Sequence, residues 1–232
     1  MRPPGAYEAV LDFGCGCGRI ARQLIQQRPR PREYVGIDLH RGMVEWCTEN
    51  LVPAAPGFGF RHHDVRNAFL NPGEDKPDVL PFPVGDGRFS LVLGWSVFTH
   101  LTEDQVVYYL AETRRVLRPD GVLLATCFLF DKREFPMLTA ASNALYASYA
   151  DPATAVAFDR SWLRETARQA GLAITFALPP TVRGSQWILL LAPLGVAAEI
   201  DLPADDAPVA PEEVHRSWGA AQEVAGGLSS SG

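Results

Sequence analysis

The residues best suited to chemistry lie in "VLDFGCGCGRIARQL", residues 10–24, where Gly14, Gly16 and Gly18 follow an apolar run and precede helically spaced apolar residues. Glycines between a strand and a helix expose backbone N–H groups at the positive end of the helix dipole and let a ligand approach the chain closely. Such a loop holds either a pyrophosphate or the polar end of another nucleotide-like cofactor. Asp38 ends the run "EYVGID" about 20 residues further on, where a carboxylate accepts hydrogen bonds from ribose hydroxyls. Gly16-x-Gly18-x-x-Ala21 also fits the dinucleotide fingerprint with alanine last, a weak match when it stands alone. Two acids separate the cases. Asp12, two residues before Gly14, would repel a pyrophosphate but suits an ammonium or sulfonium. Asp64 ends "FGFRHHD", where it could read an adenine amino group.

Cys15 and Cys17 invite a metal reading, but Cys47 and Cys127 are isolated and no Cys-x-x-Cys or Cys/His cluster accompanies the pair. They read as small side chains in a tight turn, and no metal is expected. His100, after "SVFT", is the candidate general base, with support of its loop as the alternative. Trp95 could line a substrate pocket or close over the cofactor, since an aromatic face also attracts a sulfonium. His62 and His63 read as packing or solvent residues, and Asp131 as a surface acid.

The elements that must position these residues alternate. Short apolar runs at 8–13, 33–38, 58–64, 88–98 and 122–130 read as strands, with helices after the first, second and fourth. Thr102-x-x-Gln105 is a capping box opening a helix lined by Val106, Leu110, Thr113 and Leu117. Residues 65–88 read as a long loop and 119–121 as a turn. "SWLRETARQAGL" is a helix ending at Gly171, and "AITFAL" and "QWILLLA" are strands whose short join makes them antiparallel. The alternation predicts a doubly wound, three-layer α/β/α fold with the ligand at the carboxyl ends of the first strands.

In order, "VLDFGCGCGR", "YVGIDLHRGMVEWC", "FRHHDV", "FSLVLGWSVFTHL" and "LAETRRVLRPDGVLLATCF" resemble the motifs of the class I S-adenosylmethionine-dependent methyltransferases across residues 8–192. The resemblance implies a mostly parallel seven-stranded sheet with an antiparallel last strand, and S-adenosylmethionine as cofactor. It implies that Asp12, Gly14, Cys15, Gly16 and Gly18 face the methionine portion. Asp38 would hold the ribose, Leu39 and Met43 would flank the adenine, and Asp64 and Val65 would meet its edge. Backbone near residues 94–96, with Trp95 and Ser96, would complete the methionine site. The end of the fourth strand has no Asp for a divalent ion, and the Asn-Pro-Pro-aromatic motif of many base and glutamine methyltransferases is missing. The implied reaction is methyl transfer to an oxygen or nitrogen of a small molecule. The alternatives are an NAD(P)-dependent oxidoreductase and a non-catalytic cofactor-binding relative.

Residues 1–194 read as the cofactor-binding domain, with 131–158 as a lid over the acceptor. The first strand begins almost at Met1, where family members commonly carry covering helices. The cover is then expected from that lid, from chain upstream, or from a second subunit, which would make a homo-oligomer. Residues 195–232 read as an acidic, disordered tail. Its seven acids (Glu199, Asp201, Asp205, Asp206, Glu212, Glu213, Glu223) against Arg216 account for the whole net charge of −6. The remaining chain is charge-balanced, which gives no electrostatic footprint for nucleic acid or an anionic membrane. No membrane-length apolar run, no signal peptide and no disulfide framework point to the cytoplasm.

Overall fold

The computed structural model describes residues 7–135, 137–138, 142–181 and 185–203. Five parallel strands form its centre: β1 (Ala9–Phe13), β2 (Glu33–Asp38), β3 (Phe58–His62), β4 (Phe89–Gly94) and β5 (Leu117–Phe130), in the order β3-β2-β1-β4-β5. Two further strands, β8 (Leu172–Leu178) and β9 (Trp187–Pro193), complete a seven-stranded arrangement in which β9 runs antiparallel between β5 and β8. This is the expected topology. Helices α1 (Arg19–Gln26), α2 (Arg41–Asn50), α3 (Glu103–Val116) and α4 (Arg160–Gln169) connect the strands.

Alternation along β1 sends its side chains into two cores. Ala9, Leu11 and Phe13 join Val35, Ile37, Val106, Leu110 and Leu163 on one face, and Val10 joins Tyr34, Cys47, Leu51 and Phe58 on the other. Burying β1 on both faces favours the continuous apolar run seen in its sequence. The Thr102 capping box forms, with the Thr102 N–H donating to Gln105 Oε1 at 3.0 Å. Gly171 adopts φ +79° just past α4 and ends that helix as expected.

Three readings are revised. Residues 119–121 do not separate a helix from a strand but lie within β5, in a bulge where two steps along β4 (Phe89 to Leu91) face five along β5 (Leu117 to Val122). Gly121 is required there, since a Cβ would lie 2.7 Å from the Phe89 carbonyl oxygen. Second, the 131–158 segment contains an antiparallel hairpin, β6 (Ala144–Tyr146) and β7 (Val156–Asp159), and β7 pairs in parallel with the last three residues of β5. The sheet therefore has nine strands.

Third, the acidic segment starts as a packed strap. The Ile200 N–H donates to the Ile174 carbonyl at 2.9 Å, and Ile200 and Leu202 pack on the core. Glu199 bonds Arg164 and Arg168, Asp201 bonds Arg164, and the Pro203 carbonyl accepts from Arg160. Residues 204–232 lie outside the described residues. A chain ending at Leu194 is expected to melt about 5 °C below one ending at Pro203, because it uncovers Ile174 and the core beneath Ile200 and Leu202. Scanning calorimetry of the two truncations checks this.

Candidate cofactor site

At the carboxyl end of β1 the chain turns through Gly14, Gly16 and Gly18, with φ of 78°, 52° and 70°. These left-handed conformations favour glycine. Two of the three are also fixed by packing: a Cβ would fall 2.4 Å from Val97 Cγ2 at Gly14 and 2.5 Å from Leu51 Cδ1 at Gly18. Gly16 differs. A Cβ there would meet nothing within 4 Å, so the chain leaves open space above the centre of the loop.

The loop is held to β2 by backbone and carboxylate. Gly14 and Cys15 N–H groups share the Ile37 carbonyl at 2.8 and 3.1 Å, and the Gly16 N–H donates to Asp38 Oδ2 at 2.8 Å. Asp38 Oδ1 accepts from the His40 N–H at 2.8 Å, and its carbonyl accepts from the His63 N–H at 2.8 Å. One residue thus ties together the ends of β1, β2 and β3. A carboxylate offers about four lone-pair positions, so two remain for ligand hydroxyls. The N-terminus of α2 lies alongside, where His40 Nδ1 caps the Met43 N–H at 3.3 Å and the Leu39 carbonyl pairs with His62 Nε2 at 2.9 Å.

Asp12 lies under this loop, not in its mouth. It is 1% exposed, and the Tyr34 hydroxyl donates to its Oδ2 at 2.5 Å. Burial raises its pKa to about 6, with the Tyr34 bond pulling down, the charge of Asp38 pushing up and Arg19 pulling down. The Cys15 thiol fills the same floor: a Cβ at Gly36 would sit 2.9 Å from its sulfur. Burial holds that thiol protonated, far above its ordinary pKa, and raises Cys47 to about 11. Cys15 can therefore face a cofactor only through its backbone. Cys17 is exposed, all four cysteines are free, and the described residues contain no group of His, Cys, Asp and Glu able to hold a metal.

Asp64 is engaged through one of its two oxygens. Its Oδ1 accepts from Lys76 Nζ at 2.7 Å and Asn71 Nδ2 at 3.0 Å, and these bonds lower its pKa to about 2. Its neighbour Val65 is buried. On the other side of β1, Trp95 is 39% exposed and Val97 packs over Gly14. Between them, the Ser96 N–H donates to Thr126 Oγ1 at 2.7 Å and its hydroxyl accepts from Gln186 Nε2 at 2.9 Å. Sequence reasoning missed Thr126 and Gln186. Their only signals were a lone hydroxyl inside "VLLATCFLF" and a polar residue just before β9.

His100 stands in the short turn Phe98–His100, its Nδ1 2.9 Å from the Ala153 carbonyl in the turn before β7. A ring N–H donated to that carbonyl leaves Nε2 as the acceptor nitrogen. His63 is buried against Tyr109, with burial lowering its pKa to about 4, in keeping with a packing role. Asp131 is held below the usual carboxylate range by Arg133 and Arg160.

The ends of β1, β2 and β4 thus converge on one open glycine loop, in a sheet whose antiparallel β9 is inserted between β5 and β8. Residues 10–121 match the model of a methyltransferase domain family. This chain carries a class I S-adenosylmethionine-dependent methyltransferase domain. It is 29% identical over 130 residues to the uncharacterized methyltransferase AN0656 of Emericella nidulans, covering 54% of this chain and 43% of that protein. It is 30% identical over 133 residues to the mRNA cap guanine-N(7) methyltransferase 1 of Arabidopsis thaliana, covering 51% of this chain and 32% of that one. The chain therefore spans less than half the length of these relatives. In fold, the methyltransferase domain matches the Burkholderia thailandensis 1,6-didemethyltoxoflavin-N1-methyltransferase, solved with 1,6-didemethyltoxoflavin and S-adenosylhomocysteine. The TM-score is 0.57 at 21% identity, over 82% of this chain and 72% of that one.

Proposed function

We propose that this chain binds S-adenosylmethionine on the 14–18 loop and transfers its methyl group to an oxygen or nitrogen of a small-molecule acceptor. The observation that carries the reading is Gly16, a left-handed glycine with open space above it, whose N–H is fixed by Asp38. When bound, the cofactor supplies a methyl carbon on a sulfonium, open to in-line displacement by an acceptor lone pair.

The donor set fits this group. The two remaining lone-pair positions of Asp38 suit a ribose diol, with Leu39 and Met43 beside them for the adenine ring. The buried Asp12 places negative charge beneath the loop, which favours an ammonium and a sulfonium over a pyrophosphate. This charge separates the methyltransferase reading from a nicotinamide-dependent one. Lys76 and Asn71 hold only Asp64 Oδ1, which leaves Oδ2 for the adenine edge, whereas the Val65 N–H is given to the His63 carbonyl and its own carbonyl accepts from Asn71 Nδ2. Trp95, Ser96 and Val97 form the wall toward the acceptor, and positioning against that wall supplies most of the catalysis. His100 Nε2 is the base if the acceptor must lose a proton.

The β6–β7 hairpin and the residues before it present Phe135, Met137 and Tyr149, which are 41%, 95% and 81% exposed. They are the lid over the acceptor, and their apolar surface suits an acceptor with an aromatic or aliphatic body. The charge-balanced domain favours a small molecule over nucleic acid, and no described helix is long and apolar enough to cross a membrane. Four free cysteines suit a reducing compartment such as the cytoplasm.

Transfer of label from methyl-labelled S-adenosylmethionine into pooled small metabolites, beside a capped RNA, tests the reading. Label in the small-molecule pool is expected. Label in the RNA alone would overturn the acceptor class, and binding without label in either would assign the chain to the non-catalytic relatives.

A further inference from the structure

Among the described residues, Ser96 is the one residue other than glycine with a positive φ, at 59°. An L-residue held there is strained relative to the right-handed or extended regions, and it persists only where its surroundings over-determine it. Two contacts from distant parts of the chain do so. Thr126 on β5 accepts its N–H, and Gln186, in the connection between β8 and β9, donates to its hydroxyl. The residue after Ser96 is Val97, whose methyl group fills the space that Gly14 leaves open. The conformation of Ser96 therefore sets where the 94–97 turn presses on the cofactor loop.

Resting on the methyltransferase reading above, we infer that Gln186 is a positioning residue. It touches no part of the glycine loop in the contacts described, yet it holds Ser96 in the left-handed conformation and so shapes the acceptor-side wall of the cofactor site. Gln186 itself directly precedes β9, the strand between β5 and β8. Movement of Gln186 would thereby reach the cofactor through a single side-chain amide.

If Gln186 acts by imposing a left-handed backbone, it becomes dispensable once residue 96 is a glycine, which adopts that conformation without strain. Four proteins test this: wild type, Gln186→Ala, Ser96→Gly and the double variant, each titrated with S-adenosylhomocysteine and melted without it. Gln186→Ala is expected to weaken binding about tenfold and lower the melting temperature. Ser96→Gly changes the wall of the site itself, so its own affinity and melting temperature are the reference for the double variant. The double variant is expected to match Ser96→Gly within about twofold in affinity.

A double variant about tenfold weaker than Ser96→Gly would overturn the inference, because Gln186 would then act by another route. Failure of wild type to bind the probe would instead count against the methyltransferase reading. The melting temperatures would still judge the clamp: the loss caused by Gln186→Ala must vanish in the Ser96→Gly background, and its persistence there would refute the clamp.

Discussion

Asp38→Ala is expected to weaken S-adenosylhomocysteine binding about a hundredfold, with a loss of melting temperature of only a few degrees. In the structure both carboxylate oxygens accept backbone N–H bonds, from Gly16 at 2.8 Å and from His40 at 2.8 Å. Alanine removes both and, with them, the two acceptor positions left for the ribose. Hydrogen bonds to a charged group are each worth about 1.5–3 kcal/mol, so losing one or two to the ligand accounts for a factor of this size. Asp38→Asn is a stricter version. An amide keeps the shape but turns one acceptor into a donor facing a backbone N–H, so it is expected to bind nearly as poorly as alanine. Isothermal calorimetry on the three proteins reads the effect. Affinities within about threefold of one another would show that Asp38 organises the loop without touching the ligand.

Asp12→Asn is expected to stabilise the fold and weaken the site together. The native carboxyl keeps its proton up to about pH 6, whereas in the unfolded chain it ionises near its ordinary value of 3.8. The folded state thus binds the proton more tightly. The stability this confers is complete below about pH 4 and is lost as pH rises through about 6. Above that pH the buried charge costs on the order of 3 kcal/mol, with the Tyr34 hydrogen bond already included. Asparagine carries no such charge and can still accept from the Tyr34 hydroxyl. Its melting temperature at pH 7.5 is expected to exceed wild type by about 5–10 °C, with the difference closing near pH 4.5. S-adenosylhomocysteine keeps an ammonium group, so its affinity for Asp12→Asn is expected to fall on the order of tenfold at pH 7.5. A wild-type affinity that declines below pH 6 while that of Asp12→Asn stays level would trace the effect to this one proton. Equal melting temperatures at pH 7.5 would contradict the cost assigned to the buried charge.

The part of the fold that carries local patterns was legible from residues alone. Apolar runs marked β1 to β5, the Thr102 capping box marked the start of α3, and the glycines with Asp38 marked the loop and its tie. The short join before β9 was enough to make the last pair antiparallel. What escaped depends on partners far away in the chain. The pairing of β7 needs the overhang of β5 beyond β9, and no local alternation announces a three-residue strand such as β6. Ile200 and Leu202 pack because α4 offers arginines to the acids beside them, which composition alone reads as an unfolded acidic run. The burial of Asp12 follows from Tyr34 on the next strand, and that of Cys15 from the missing side chain at Gly36. Ser96 meets Thr126 and Gln186 across 30 and 90 residues, with no motif to mark the meeting.

The central claim is that the 14–18 loop receives a methyl-donor cofactor and not a dinucleotide, and parallel calorimetric titrations of the wild-type chain with S-adenosylhomocysteine and with NAD⁺ test it most directly. One saturable S-adenosylhomocysteine site in the micromolar range, with no heat from NAD⁺, is the result expected of a loop with a buried carboxylate beneath it. Saturable NAD⁺ binding without S-adenosylhomocysteine binding would contradict it.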